Sequence, residues 1–423
     1  MYNLLMKRQS IFVCATLLFC VLSLAGCVNT QPIPSTIDIA QRPADWFTMR
    51  GSLDNCRIRF ERDKVGRVVF LGGSITHMRG WRDMTAKMLQ ERFPDTKFEF
   101  IDAGIPSTGS TPGAFRFERD VLSHGRVDLL FEEAAVNDST NFRTPTEMTR
   151  GYEGIIRHAR LAQPNMDVIT MHFVAPWLME DYNAGKVPVV VQRHEQVSAY
   201  YEVPSINLAL EVTQRINAGE FEWKKDFRDL HPSPFGHKLY TSTIGRLLDA
   251  AWSQPLTPDA KITPHEYPKR LLDDASYYGG RLVDVREAQL GKGWKVDPSW
   301  KPAKKAHTRP GFVDVPMLVS ETPGAVMKFK FTGNAVGLFV AAGEDAGIID
   351  WRLDGGEWKQ QNLFTQWSNQ LHIPWAYVLA ANIDDAPGAN TMHTLEVRIS
   401  DQKDDRSTGH ACRIVHFLVN RDK

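Results

Sequence analysis

Arg67-Val-Val-Phe-Leu-Gly-Gly-Ser-Ile-Thr76 is the stretch on which the reading of this 423-residue chain turns. A short run of β-branched and aromatic residues, as expected of a strand buried on both faces, drives straight into two glycines and a serine. Glycines at the carboxyl end of a strand free the backbone for a sharp turn and let another group approach it closely. Ser74 then stands just past the end of a parallel strand, where open α/β sheets gather their ligands. Taken alone, such a serine also fits a plain helix cap.

A second stretch, Asp229-Leu-His-Pro-Ser-Pro-Phe-Gly-His237, supplies what a serine needs to become a nucleophile, a base and an acid to orient it. Pro232 biases His231 toward an extended conformation, and a helical pattern follows from Lys238 to Trp252. With these two blocks the chain resembles the SGNH (GDSL) hydrolase superfamily. The family's Gly-x-Ser turn is matched by Gly72 to Thr76, and its Asp and His-Pro ahead of the last helix by Asp229 to Pro232. Its Gly-x-Asn-Asp block appears as Ala135-Val136-Asn137-Asp138, with alanine for glycine. Its remaining turn falls in Ile101 to Ser110 and puts the family's oxyanion glycine at Ser107, leaving Gly104 and Gly109 as alternative backbone donors.

The resemblance covers roughly residues 64–253. It implies a flavodoxin-like three-layer α/β/α domain with a parallel sheet, and a serine esterase whose nucleophile is Ser74 and whose base is His231. The N–H groups of Ser74 and Ser107 and the Asn137 amide would form the oxyanion hole. The family's Asp-x-x-His-Pro spacing would put the acid at position 228, which here is Arg228. In an extended segment residues two apart share a side, so Asp229 is the favoured acid and Asp226, five residues back, the alternative. His77, His172 and His237 have plain structural readings, with His77 near enough to the nucleophile turn to line a pocket.

Lysine plus arginine and aspartate plus glutamate both number 50, so no net field favours nucleic acid or an anionic bilayer. Lys7 and Arg8, the apolar run Ile11–Leu24 and Leu24-Ala-Gly-Cys27 have the layout of a secretory signal. An apolar run of about 14 residues is short for a membrane span. The run also resembles a bacterial lipobox, implying cleavage before Cys27 and lipidation of its sulfur, and thus an envelope lipoprotein. With Val28 next, the resemblance points to the outer membrane if the source is Gram-negative. The segments expected are a signal over 1–26, a tether over 27–45, the hydrolase over 46–255, a proline-punctuated linker over 256–266 and a β domain over 267–423. Cys56 and Cys412 remain, read as buried thiols in preference to a bridge. No metal, nucleotide or redox motif occurs, so no cofactor is implied.

Strands are expected at Val68–Leu71, Phe98–Asp102, Val127–Phe131, Val168–His172 and Ser205–Leu208, alternating with helices at 81–93, 113–122, 144–162 and 208–218. From Tyr267 the pattern turns to short strands with Gly, Pro and Asp turns, the mark of a β-sandwich or jelly roll. Export, a β-sandwich companion and no visible lid for an acyl chain favour an acylated carbohydrate, foremost an O-acetyl ester of a polysaccharide or oligosaccharide. A lipid or aryl esterase, or a non-catalytic glycan-binding lipoprotein, is the alternative. Trp294, Trp300, Trp351, Trp358, Trp367 and Trp375 crowd the β region, as core or as sugar-stacking surfaces.

Overall fold

A computed structural model describes residues 46–303, 306–383 and 391–420. Expectations for the signal, Cys27 and the whole tether lie outside the described residues, as do Lys304 and Lys305. Among the described residues no helix is long and apolar enough to cross a membrane.

The first half is a sheet of six strands between two helical layers. Its strands are β1 (Phe47–Thr48), β2 (Val65–Gly72), β3 (Lys97–Gly104), β4 (Leu129–Glu133), β5 (Asp167–Met171) and β6 (Ser205–Ile206), in the spatial order β1-β6-β5-β4-β2-β3. All pairings are parallel except that of β1, which closes the edge antiparallel to β6. The five parallel strands, counted along the chain, run 2-1-3-4-5, the flavodoxin-like order. The carboxyl ends of β2, β3 and β4 therefore sit side by side, which brings Ser74, Ser107 and Asn137 to one rim. Helices Trp81–Arg92, Ser110–Asp120, Pro145–Ala162, Leu208–Asn217 and Pro234–Ala251 follow the sequence periodicity closely, and Pro176–Asn183 and Val189–Tyr200 add to them.

The second half contains two antiparallel sheets. One is built from β7 (Gly280–Asp284), β9 (Lys295–Asp297), β10 (Met317–Ser320), β12 (Ala335–Ala342), β15 (Ile373–Ala381) and β17 (Cys412–Asn420). The other holds β8 (Gln289–Leu290), β11 (Val326–Phe331), β13 (Ile348–Leu353), β14 (Lys359–Asn362) and β16 (His393–Ile399). Leu353-Asp-Gly-Gly356 makes a turn with Gly356 N–H bonded to Leu353 O, and Asp354 and Gly355 at φ 52° and 73°, as a type I′ turn requires.

Every residue of β12 is buried, because its two faces serve two cores. Val336, Leu338, Val340 and Ala342 face the other sheet, whose Phe329, Leu395 and Ile349 fill the sandwich together with Phe417 of β17. Ala335, Phe339 and Ala341 face the helices of the first half, against a cluster that includes Phe115, Phe117, Tyr152 and Ile155. On β17, Cys412 and Ile414 point into the sandwich, the pairing with β12 shifts past Val415, and Phe417 and Val419 point there again. This bulge changes which alternate side chains face each core without ending the strand. The β region has its own core and shares a second with the helices. Cys56 and Cys412 are free and buried.

Candidate active site

Ser74 opens a one-turn helix, Ser74–His77, directly after β2 and Gly73. Space compels the glycine there: a Cβ on Gly73 would meet the Asn137 Oδ1 at 1.9 Å. That near contact also brings the Asn137 side chain beside the nucleophile turn. The Ser74 Oγ lies 2.8 Å from the His231 Nε2, across 157 residues of chain. This is hydrogen-bonding distance for a nucleophile and its base.

Three donors remain uncommitted at this rim. The backbone N–H groups of Ser74 and Ser107 and the Asn137 side-chain amide have no acceptor among the described residues. Ser107 owes its orientation to a turn. Thr108 N–H bonds to Ile105 O at 3.2 Å, Pro106 takes the second position, and Ser107 the third with φ 73°. A type II turn demands positive φ at that third position, which is why the family carries glycine there. Serine bears the strain because the Asn141 Nδ2 holds the Ser107 carbonyl at 3.0 Å. Of the alternatives, Gly104 N–H already donates to the Asp102 Oδ1 at 2.9 Å, and Gly109 precedes helix Ser110–Asp120.

The acid departs from the expected geometry. The Asp229 Oδ1 accepts the backbone N–H of His231 at 2.6 Å and lies 3.9 Å from the Nδ1 of the same residue. At 3.9 Å it acts on the ring as a nearby charge and makes no hydrogen bond to it. Asp226 takes no part, since its carboxylate accepts the N–H of Glu222 at 2.8 Å. Arg228, where the family spacing would place an acid, sits at φ 89° and donates from Nε to the His231 carbonyl at 2.8 Å and from Nη2 to the Pro232 carbonyl at 2.9 Å. The guanidinium therefore clamps the loop that carries the base. Burial pushes the His231 imidazole below its ordinary range; the charge of Asp229 opposes this, and Arg228 and Arg309 reinforce it. Arg309 comes from the β region, so that region contributes to the charge around His231.

The β region also reaches the opposite side of the site. The Gln366 Nε2 donates to Thr140 O at 2.9 Å, at the end of the helix Ala135–Thr140 that carries Asn137. Arg143 donates to Ala376 O at 2.8 Å and lies over the Trp375 ring at 5.8 Å. Phe142, between them, is exposed with φ 52°. Of the six tryptophans noted in the β region, Trp294, Trp300 and Trp351 are buried, and Trp358, Trp367 and Trp375 are partly exposed.

His77 pairs with Asp102 at 3.0 Å, and His172 with Glu195 at 2.9 Å. His237 is buried against Gly80 and its imidazole is pushed down to about 4, mainly by burial. Among the described residues none of the three hydrogen-bonds to the Ser74 hydroxyl, which pairs with His231. Sequence reasoning missed Arg116, a buried guanidinium that donates to Ala103 O at 2.7 Å and Gly72 O at 3.0 Å and so braces the ends of β2 and β3. It missed Arg309 in the same way, because its position carries no motif, and it noted Arg228 only as a departure from the family spacing, without the clamp it forms.

A nucleophile–base contact beside three free donors is the arrangement of an acyl-transfer site. The family model described as GDSL-like lipase/acylhydrolase matches residues 70–239. Residues 70–239 form a GDSL-like hydrolase domain. Two solved structures of a two-domain esterase active on acetylated mannans, one co-crystallised with mannopentaose, share the fold across both halves. The first is 21% identical, covers 90% of this chain and 98% of its own, and has a TM-score of 0.70. The second is 20% identical with the same coverage, 90% and 98%, and a TM-score of 0.67. No curated protein matches the chain. The hydrolase domain thus carries the candidate nucleophile, base and oxyanion donors, with the β region against its rim.

Proposed function

We propose that the protein is a serine esterase that removes acyl groups, O-acetyl foremost, from a polysaccharide or oligosaccharide. The observation that carries this reading is the 2.8 Å contact between the Ser74 Oγ and the His231 Nε2. Ser74 attacks the acyl carbon while His231 takes its proton. The carbonyl π electrons move to oxygen, held by the N–H groups of Ser74 and Ser107 and the amide of Asn137. Collapse expels the sugar alkoxide, protonated by His231, and leaves the acyl group on Ser74. Water, deprotonated by His231, then releases the carboxylic acid and restores the serine.

Support for the carbohydrate class comes from the two-domain arrangement, which this chain shares with an esterase described as active on acetylated mannans. Acetate release should be measured from acetylated mannan, acetylated xylan and an aryl acetate, with Ser74→Ala as control. Release from a polysaccharide that vanishes in Ser74→Ala supports the reading. Inertness toward every acyl ester would favour a glycan-binding role.

Asp229 is proposed as an electrostatic helper of His231. Asparagine can still accept the His231 N–H, so Asp229→Asn removes charge and little geometry. We expect kcat to fall roughly 10-fold, well short of the ~10⁴-fold loss seen where a hydrogen-bonded triad acid is removed. The pH profile gives a second check. Asp229 raises the His231 pKa and Arg309 lowers it, and catalysis needs the neutral imidazole. The acid limb of kcat/KM is therefore expected at lower pH in Asp229→Asn and at higher pH in Arg309→Ala. Shifts in the same direction for both would contradict the assignment.

For location, we propose a lipid anchor on Cys27 in the bacterial envelope, with the membrane engaged only through that lipid and no nucleic-acid partner. Radiolabelled palmitate should enter the wild-type protein and be lost in Cys27→Ala. Equal labelling of both would refute it.

A further inference from the structure

Directly behind the oxyanion donors lies a buried polar pair that the reaction scheme does not use. Asp138 follows Asn137, and its side chain is wholly buried. Its Oδ1 accepts the Ser110 N–H at 2.8 Å. Its Oδ2 accepts the Ser110 Oγ–H at 2.5 Å and faces the Nε2 of His194 at 3.0 Å. A Cβ on Gly109 would come within 2.1 Å of the same Oδ1, so the turn is drawn against the carboxylate.

Satisfying the first free N–H of helix Ser110–Asp120 accounts for the bond to the Ser110 backbone. It does not account for His194, which a different helix, Val189–Tyr200, delivers into the core from far along the chain. His194 is wholly buried, stacks on Tyr152 with centroids 3.8 Å apart and planes 7° apart, and has no partner for its Nδ1 among the described residues. Its proton therefore belongs on Nε2, aimed at Asp138. Around the pair stand His172, Glu195, Glu132, Glu133 and Tyr152, all themselves buried or held in pairs.

The pair lies between the two segments that must cooperate. Asn137 precedes Asp138 on one segment, and Ser107 is three residues before Ser110 on the other. A second bolt joins them where the Asn141 Nδ2 holds Ser107 O at 3.0 Å. A carboxylate accepting three donors is a stiff anchor, and misplacing catalytic groups by about 1 Å can cost ~10²-fold. Resting on the esterase reading, we propose that Asp138 and His194 are positioning residues that set the spacing between the Ser107 N–H and the Asn137 amide.

The test is aryl acetate hydrolysis by the full chain carrying His194→Leu, which removes the donor, and His194→Gln, which keeps a side-chain N–H. The expected result is a kcat loss of roughly 10-fold or more in the leucine variant, with KM within about twofold and most of kcat restored by glutamine. The same substitution is then made in an Asn137→Ala background. If His194 acts through the oxyanion hole, it should cost less than about 3-fold there, because one donor it positions is already gone. An equal factor in both backgrounds, or a loss confined to KM, would overturn the proposal. Should His194→Leu fail to fold, Ser110→Ala removes only the hydroxyl bond to Asp138 and is read through the same cycle. A wild-type protein inert toward every acyl ester would overturn the esterase reading itself, a result distinct from an active enzyme indifferent to His194.

Discussion

Ser74→Ala and His231→Ala are each expected to lower kcat for an aryl acetate by roughly 10⁴-fold or more, with the fold intact. The two groups act as one unit, since among the described residues His231 is the base in hydrogen-bonding contact with the Ser74 Oγ, at 2.8 Å. The double variant should therefore be little worse than either single one. Folding should survive because the His231 side chain is 45% exposed, and the clamp from Arg228 and Asp229 grips its backbone and leaves the ring free. Steady-state kinetics with a parallel thermal melt decide the matter. Losses that multiply in the double variant would mean that the two residues do not share a step.

A chain ending at Pro258 is expected to be insoluble or unfolded, not merely inactive on polysaccharide. Met317, Val319, Phe339, Val415 and Leu418 of the β region cover Phe115, Phe117 and Ile155 of the helices in one apolar cluster. Burying one such large side chain is worth roughly 1.5–3 kcal/mol, and a native protein holds only about 5–15 kcal/mol in total. Polar hooks would be lost as well. Glu153 accepts the N–H groups of Leu272 and Asp273 at 2.7 and 3.2 Å, and Arg150 pairs with Asp273 at 2.8 Å. Solubility, size-exclusion elution and melting of the shortened chain provide the measurement. A monomeric, cooperatively melting product would show that the shared cluster is dispensable.

The alternation of buried strand and amphipathic helix between Arg67 and Trp252 determined the parallel sheet. Hydrophobic period and turn chemistry are local properties that tertiary contacts only reinforce. Ser74, Asn137 and His231 were legible for a related reason, because each follows or precedes a strand or helix end that the pattern marks. Where burial overrides chemistry, the pattern failed. The strand expected over Val127–Phe131 is Leu129–Glu133, since Glu132 and Glu133 look like a polar strand end yet are both buried. Burial pushes Glu133 up to about 8, so it is largely a neutral carboxyl at neutral pH and fits a core strand.

Only the tertiary structure decided where the acid points, because two residues of loop allow Asp229 to satisfy the backbone N–H of His231 instead of its ring. It alone brought Arg309 toward His231, Gln366 to the Asn137 helix and His194 to Asp138. These contacts join residues 56 or more positions apart that no shared period or motif links in sequence. The division has one physical cause. Backbone preferences are written in neighbouring residues, whereas the charge around a catalytic imidazole is the sum over whatever the finished fold packs beside it.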